Sequence, residues 1–214
     1  MKNTSLLLAV LGAALLAGCA NPTRSRDLAN AGVTAETLAQ QVCSNCHGAN
    51  GNSVSPNFPN LAGQTKPYLA AQLRGFKERT RRDPAAVAYM WGLARSLTDA
   101  QIESLAAYYA ALPARVQPAA AAVASVDAGR EIYAHGVSGS TAPACASCHG
   151  ADGQGTEAAP RIAGQHATYV ARQLVIYRDT DERPDGAPMK AACGALGAQD
   201  IRDVAAFVQS RGDL

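Results

Sequence analysis

The sequence predicts an all-α protein made of two tandem copies of one small domain, and three observations carry that prediction. A series of motifs in the first half returns in the second at a nearly constant offset. Apolar residues toward the end of each half recur at i, i+3, i+4 spacing, the period of a helix with one buried face. No segment alternates apolar and polar residues convincingly enough to read as a half-buried strand.

Length and composition agree with two small domains. The 214 residues fit one large domain or two of about 100. Hydrophobic residues make up 48%, yet aromatics are only 5%, with 3 Phe and 1 Trp, so the chain is short of bulky core filler. A charged fraction of 17%, with 19 Gly and 11 Pro, excludes a disordered polyelectrolyte and a collagen-like chain. The formal net charge of +2 supplies no basic field for nucleic acid. No apolar run reaches the ~20 residues of a membrane span.

In order along the chain, residues 1–18 read as a signal peptide. Lys2 forms the positive end, and residues 6–16 form an apolar stretch too short to span a bilayer. Leu16-Ala17-Gly18-Cys19 comes at once and resembles the lipobox of bacterial lipoproteins, which implies cleavage before Cys19 and acylation of that residue. Ordinary signal cleavage beside a bystander cysteine is the alternative. Residues 19–33, polar and containing Pro22, then form a tether. Two or three acyl chains would anchor the protein stably to a membrane.

The first domain is expected over 34–112 and the second over 126–214, joined by a proline- and alanine-rich linker at 113–125. Each domain opens with a helix, over 34–42 with Thr34 as N-cap and over 127–134. A Gly-, Asn- and Pro-rich loop comes next, then a helix over 67–79 or 167–178. A polar loop leads to a methionine, and a terminal helix begins near Thr98 or Gly197. Domains this small bury too little surface to be robust alone, so each needs something further at its centre.

The cysteines say what that is. Six in an exported chain invite a count of three disulfides, but the arithmetic misleads. Cys19 belongs to the leader motif. Four others fall as Cys43-Ser44-Asn45-Cys46-His47 and Cys145-Ala146-Ser147-Cys148-His149, two C-x-x-C-H motifs. Cysteines three apart on a helical turn point to one side, so both thiols can add to adjacent vinyl groups of one porphyrin edge. The next residue, histidine, then lies beneath the iron. A thioredoxin-like pair would want a βαβ context, and a zinc site would want four ligands gathered from both motifs. Neither predicts a histidine directly after each pair. The motifs therefore point to two covalent haem c groups, with His47 and His149 as proximal ligands.

The sixth ligand emerges from counting. Of 3 Met, Met1 leaves with the signal, and Met90 and Met189 lie 43 and 40 residues after the histidines, one per half. An isolated methionine is usually core filler. Two mature methionines at matching places in a repeat read as axial ligands.

Cys46-His47-Gly48-Ala49-Asn50-Gly51 recurs as Cys148-His149-Gly150-Ala151-Asp152-Gly153, and Pro59-Asn60-Leu61-Ala62-Gly63-Gln64 as Pro160-Arg161-Ile162-Ala163-Gly164-Gln165. Tyr68 and Tyr169, Gln72 and Gln173, and Leu73 and Leu174 continue the register. The terminal series Leu97, Ile102, Leu105, Ala106, Ala107, Tyr108 answers Leu196, Ile201, Val204, Ala205, Ala206, Phe207. These residues resemble the cytochrome c4 family, tandem class I cytochromes c with one covalent haem wrapped in each domain. The resemblance covers nearly all of residues 35–212. It implies periplasmic electron transfer toward a terminal oxidase, with the haems facing across a pseudo-twofold interface. It also implies that the Pro59 and Pro160 carbonyls accept the histidine ring hydrogen bond, loop rigidity being the alternative. Tyr68, Tyr169, Gln72 and Gln173 are candidates to face haem propionates, or plain helix positions.

The lipobox and the extra thiol of Cys193 depart from the family pattern. Cys193 reads as a buried inert thiol. His135 and His166 stand outside the repeated site, and Trp91 reads as packing at the haem edge. Three functional readings result: a lipid-anchored electron carrier of the outer membrane's periplasmic face, a cytochrome subunit of a dehydrogenase complex, and a di-haem peroxidase. Two methionine ligands leave no open iron for the last, or for any small-molecule substrate. Partners are therefore redox proteins, a quinol-oxidising complex or dehydrogenase as donor and a terminal oxidase as acceptor. Charge divides unevenly, with ten Lys and Arg against six Asp and Glu over 19–115, and eight against eleven over 116–214. The cluster Arg74, Lys77, Arg79, Arg81 and Arg82 is accordingly expected as a docking face for an acidic partner.

Overall fold

The structure, a computed structural model, describes residues 26–115 and 123–211. The leader 1–18, Cys19, the tether up to residue 25 and linker residues 116–122 lie outside the described residues. Among the described residues every regular element is helical, and the chain forms two domains.

In the first half, Thr34 starts α1 (Ala35–Leu38) by accepting the Thr37 N–H on its hydroxyl at 3.2 Å. The helix then widens to π-type turns over Ala39–Cys43 and tightens again as α2 (Ser44–His47). The sequence pattern ends this helix at residue 42, whereas the chain stays helical through the whole C-x-x-C-H motif. An inserted π-turn rotates the motif about the helix axis relative to α1, a change that hydrophobic spacing does not display. Gly48 stops the helix at φ 78, where a Cβ would meet the Asn52 carbonyl oxygen at 2.3 Å. That clash explains the glycine after the histidine.

The next helix, α3 (Lys66–Lys77), leads by a loop to a π-turn at Ala86–Met90, then α4 (Trp91–Ala94) and α5 (Asp99–Ala110). A capping box starts α5: Thr98 Oγ1 accepts the Gln101 N–H at 3.2 Å, and Gln101 Oε1 accepts the Thr98 N–H at 2.9 Å. Its apolar face lies on α1 and α3, burying Leu38, Ile102 and Ala106 completely.

The second half repeats this plan with α6 (Val123–His135), α7 (Ala146–His149), α8 (Ala167–Asp179), a short turn at Pro184–Gly186, α9 (Ala187–Cys193) and α10 (Ala198–Ser210). Helix α6 begins four residues before the expected position 127, taking in the end of the expected linker. Against α6, α10 packs so tightly that a Cβ on Gly129 would lie 2.0 Å from the Asp203 carbonyl oxygen. Tyr133 stacks on Phe207 beside this crossing, ring centroids 5.1 Å apart. Met90 and Met189, at the far ends of the polar loops, sit on short helical turns.

Candidate haem sites

In each half the first cysteine of the C-x-x-C-H motif and the methionine pack on one core, and the motif histidine bonds a loop proline. The His47 and His149 rings are buried, and their Nδ1 atoms lie 2.9 and 2.8 Å from the carbonyl oxygens of Pro59 and Pro160. A carbonyl only accepts, so Nδ1 carries the proton and donates, leaving the Nε2 lone pair for a metal. Burial pushes both imidazoles below their ordinary pKa, opposed in part by the proline carbonyls. Both histidines are therefore neutral and competent to ligate. Phe58 meets His47 edge-on, with centroids 6.1 Å apart.

None of the four motif cysteines is joined in a disulfide, which leaves all four sulfurs available for thioether bonds. Met90 packs half-buried on the first core with Cys43, Leu73 and Trp91; Met189 packs on the second with Cys145, Ile162 and Tyr177. Among the described residues no three His, Cys, Asp or Glu side chains gather as a zinc site would require. Paired thiols, a tautomer-fixed imidazole and a thioether in one apolar setting fit haem c. When bound, haem iron supplies reversible one-electron chemistry.

The two halves meet across a polar seam. The Gln165 side chain accepts the Asn60 N–H at 2.8 Å and donates to the Asn60 carbonyl at 3.0 Å. Gln64 does the same to Arg161, at 2.9 and 2.7 Å. Each domain thus clamps the backbone of the other beside its loop proline. His166, outside the repeated site, is buried here, with Nε2 donating to the Ser53 carbonyl at 2.9 Å. His135 is exposed, 3.8 Å from Glu131.

A second interdomain cluster corrects one expectation. Arg81, counted in the docking face, is buried: its Nε donates to Asp83 Oδ2 at 2.6 Å, Nη1 to Gln72 at 2.7 Å and Nη2 to Gln173 at 3.3 Å. Arg183 mirrors it, donating to Gln173 at 2.6 Å, Gln72 at 2.8 Å and the Tyr68 hydroxyl at 3.1 Å. The guanidiniums lie over Phe76 and Tyr177, 4.7 and 4.4 Å from the ring centroids. Burial alone would raise the Tyr68 phenol's pKa, but Arg183 and Arg81 outweigh it and hold the group below its ordinary value. Tyr68, Gln72 and Gln173 are therefore partners of these arginines across the interface. Tyr169 lies under Arg172, 5.7 Å from its centroid.

The rest of the basic cluster is largely paired. Lys77 bonds Asp99, Arg74 bonds Glu103, and Arg82 donates to the Asp181 carbonyl. Arg79, at φ 60, lies over Trp91. A run of arginines resembles one exposed face in sequence because burial of a guanidinium leaves no local mark there. Cys193 is 1% exposed, and burial pushes its thiol up to about 12. Among the described residues no helix is long and apolar enough to cross a membrane.

The sequence profile of the cytochrome c family matches residues 33–112 and again 126–212. Cytochrome c4 of Azotobacter vinelandii is 37% identical over 179 residues, covering 78% of this chain and 83% of that protein. The thiosulfate dehydrogenase electron acceptor of Thiomonas intermedia is 35% identical over 146 residues, 67% of this chain and 65% of that one. Among solved structures, reduced cytochrome c4 from Pseudomonas stutzeri superposes with a TM-score of 0.74 at 32% identity, over 83% of this chain and 96% of that one. With two C-x-x-C-H motifs in two matched domains, the chain carries two covalent haem c groups and belongs to the cytochrome c4 family of di-haem electron carriers, not enzymes.

Proposed function

We propose that His47 with Met90 and His149 with Met189 hold the two irons, that Cys43, Cys46, Cys145 and Cys148 carry the thioether bonds, and that the protein passes electrons between periplasmic redox proteins. One observation carries the reading: in each half a buried histidine is fixed in tautomer by a proline carbonyl, and the first cysteine of its motif shares a core with the half's one methionine. Two protein ligands per iron leave no position for a substrate, and thioether ligation favours the reduced iron. Pro59 and Pro160 orient the proximal rings.

Terminal-oxidase delivery is the favoured direction, with a quinol-oxidising complex as donor. A second reading, electron acceptor to a dehydrogenase, is favoured by the likeness to the Thiomonas intermedia protein of that name. The test mixes the reduced holoprotein with membranes containing a haem-copper oxidase and monitors oxidation by stopped flow. Oxidase-dependent, cyanide-sensitive oxidation supports the first reading, while no such oxidation, together with reduction of the ferric holoprotein by a co-purifying dehydrogenase and its substrate, supports the second. The anchor rests on the lipobox at Cys19. Cys19→Ser should release the protein from the outer membrane into the soluble periplasm, and a wild type already soluble there without detergent would remove the anchor.

A further inference from the structure

The interdomain glutamines touch the same peptide groups that hold the proximal histidines. The carbonyl of the Pro59–Asn60 peptide accepts from His47 Nδ1 at 2.9 Å, and the N–H of that peptide donates to Gln165 Oε1 at 2.8 Å. In the other half, the Pro160 carbonyl accepts from His149 Nδ1 at 2.8 Å, while the Arg161 N–H donates to Gln64 Oε1 at 2.9 Å. Each chain of bonds crosses the interface: Gln165 of the second domain reaches the histidine of the first, and Gln64 of the first reaches that of the second. The orientation of both amides is fixed, because each also donates through Nε2 to the carbonyl of the residue it clamps. All four glutamine contacts run to main chain, so neither glutamine relies on the mobility of an opposing side chain.

A peptide group transmits polarisation from one side to the other. An N–H that donates to a good acceptor makes its own carbonyl a better acceptor, and serial hydrogen bonds strengthen one another by ~10–30%. A stronger acceptor at histidine Nδ1 makes the imidazole a more basic ligand, which stabilises ferric over ferrous iron. The packing provides such a chain in each direction, from an amide in one domain to the iron ligand of the other.

We propose that Gln64 and Gln165 are crossed positioning residues: each lowers the reduction potential of the haem in the opposite domain by polarising the peptide that holds its proximal histidine. The inference rests on the reading of His47 and His149 as proximal ligands. It makes the seam between domains a means by which opening or tightening one interface alters both irons, without any interface residue touching either.

The test uses the holoprotein carrying Gln165→Leu or Gln64→Leu, which remove the hydrogen bonds at similar volume. Midpoint potentials are assigned to each haem from the methyl resonances of the ferric protein, and the Nδ1 proton shifts of His47 and His149 are read in the reduced protein. Gln165→Leu should raise the potential of the His47 haem, with an about two- to threefold change in its reduction equilibrium, or ~20–30 mV for one electron. The His47 Nδ1 proton should move with it, and the other haem should change less; Gln64→Leu should give the opposite assignment. Equal shifts at both haems, or a shift in the glutamine's own domain, would mean general loosening and overturn the proposal, as would no shift. If Gln165→Leu does not accumulate, Gln165→Glu decides, since a carboxylate is the stronger acceptor: a lower His47-haem potential supports the relay, and a rise or no change overturns it. Haem content and the methionine–iron charge-transfer band are measured on the same samples. A wild type with fewer than two haems defeats the functional reading, whereas two intact haems without crossed shifts defeat only the relay.

Discussion

Replacing Asp83 by alanine removes the one carboxylate that, among the described residues, bonds the arginine pair at the domain interface. Asp83 is fully buried, and its bond to Arg81 is 2.6 Å long. Without it, two buried guanidiniums share the neutral amides of Gln72 and Gln173 and the Tyr68 hydroxyl. Breaking a buried ion pair from one side costs ~3–5 kcal/mol. The lower end applies, because the amides keep both guanidiniums hydrogen-bonded. At ~2–4 °C per kcal/mol for a chain of this size, about 3 kcal/mol becomes a fall of roughly 6–12 °C in Tm. Denaturant unfolding of the haem-loaded protein, monitored by far-ultraviolet circular dichroism, measures the loss. Combining Asp83→Ala with Arg81→Met should cost less than the two single changes together, since an apolar side chain can cover Phe76 as the guanidinium does. An Asp83→Ala protein within ~0.5 kcal/mol of wild type, or strict additivity in the double variant, would refute the reasoning.

Other outcomes rest on the same geometry. Gly129→Ala should destabilise the second half by at least ~1–3 kcal/mol, because its Cβ would collide with the Asp203 carbonyl at the crossing of α6 and α10; differential unfolding of the two haem bands would register it. Glu103 accepts from Arg74 at 2.6 Å and pairs with Lys66 at 3.0 Å, and these bonds hold its carboxyl below the usual range. The folded pKa being lower than the unfolded ~4.3, its contribution is complete above that pH and disappears as pH falls through the folded value. Glu103→Gln should therefore flatten the acid limb of the stability–pH profile and leave the neutral region's slope unchanged. Cys193, buried and with its thiol pushed up to about 12, should resist a maleimide in the native protein and react on unfolding, as mass spectrometry of the modified chain would show.

The two-domain helical plan is legible because covalent haem attachment is written in local spacing and then written a second time. Terminal helices α5 and α10 are readable from their apolar period, and Thr34 and Thr98 from their capping chemistry. The π-turns at Ala39–Cys43 and Ala86–Met90 are not, since one inserted residue shifts the helical phase without changing residue type. Arg81 is misplaced by sequence for a different reason. A basic run is ordinarily a solvated face, and only the third dimension puts Asp83, Gln72 and Gln173 around one member of it. A signal does exist: Arg81 and Arg183 each lie between an aromatic, Phe76 or Tyr177, and the methionine of their half. Gln64 and Gln165 are visible as repeated polar residues. Their reach into the opposite domain is not, because a repeat fixes like positions and says nothing of how two copies face each other.

The most direct test of two haems held by histidine and methionine is a haem count on the denatured protein, taken with the ferric spectrum of the native one. Two covalent haems per chain, both low-spin and both showing the methionine–iron charge-transfer band, are predicted. A single haem, or a high-spin ferric signal that responds to peroxide, would contradict the account and favour an enzyme with an open iron.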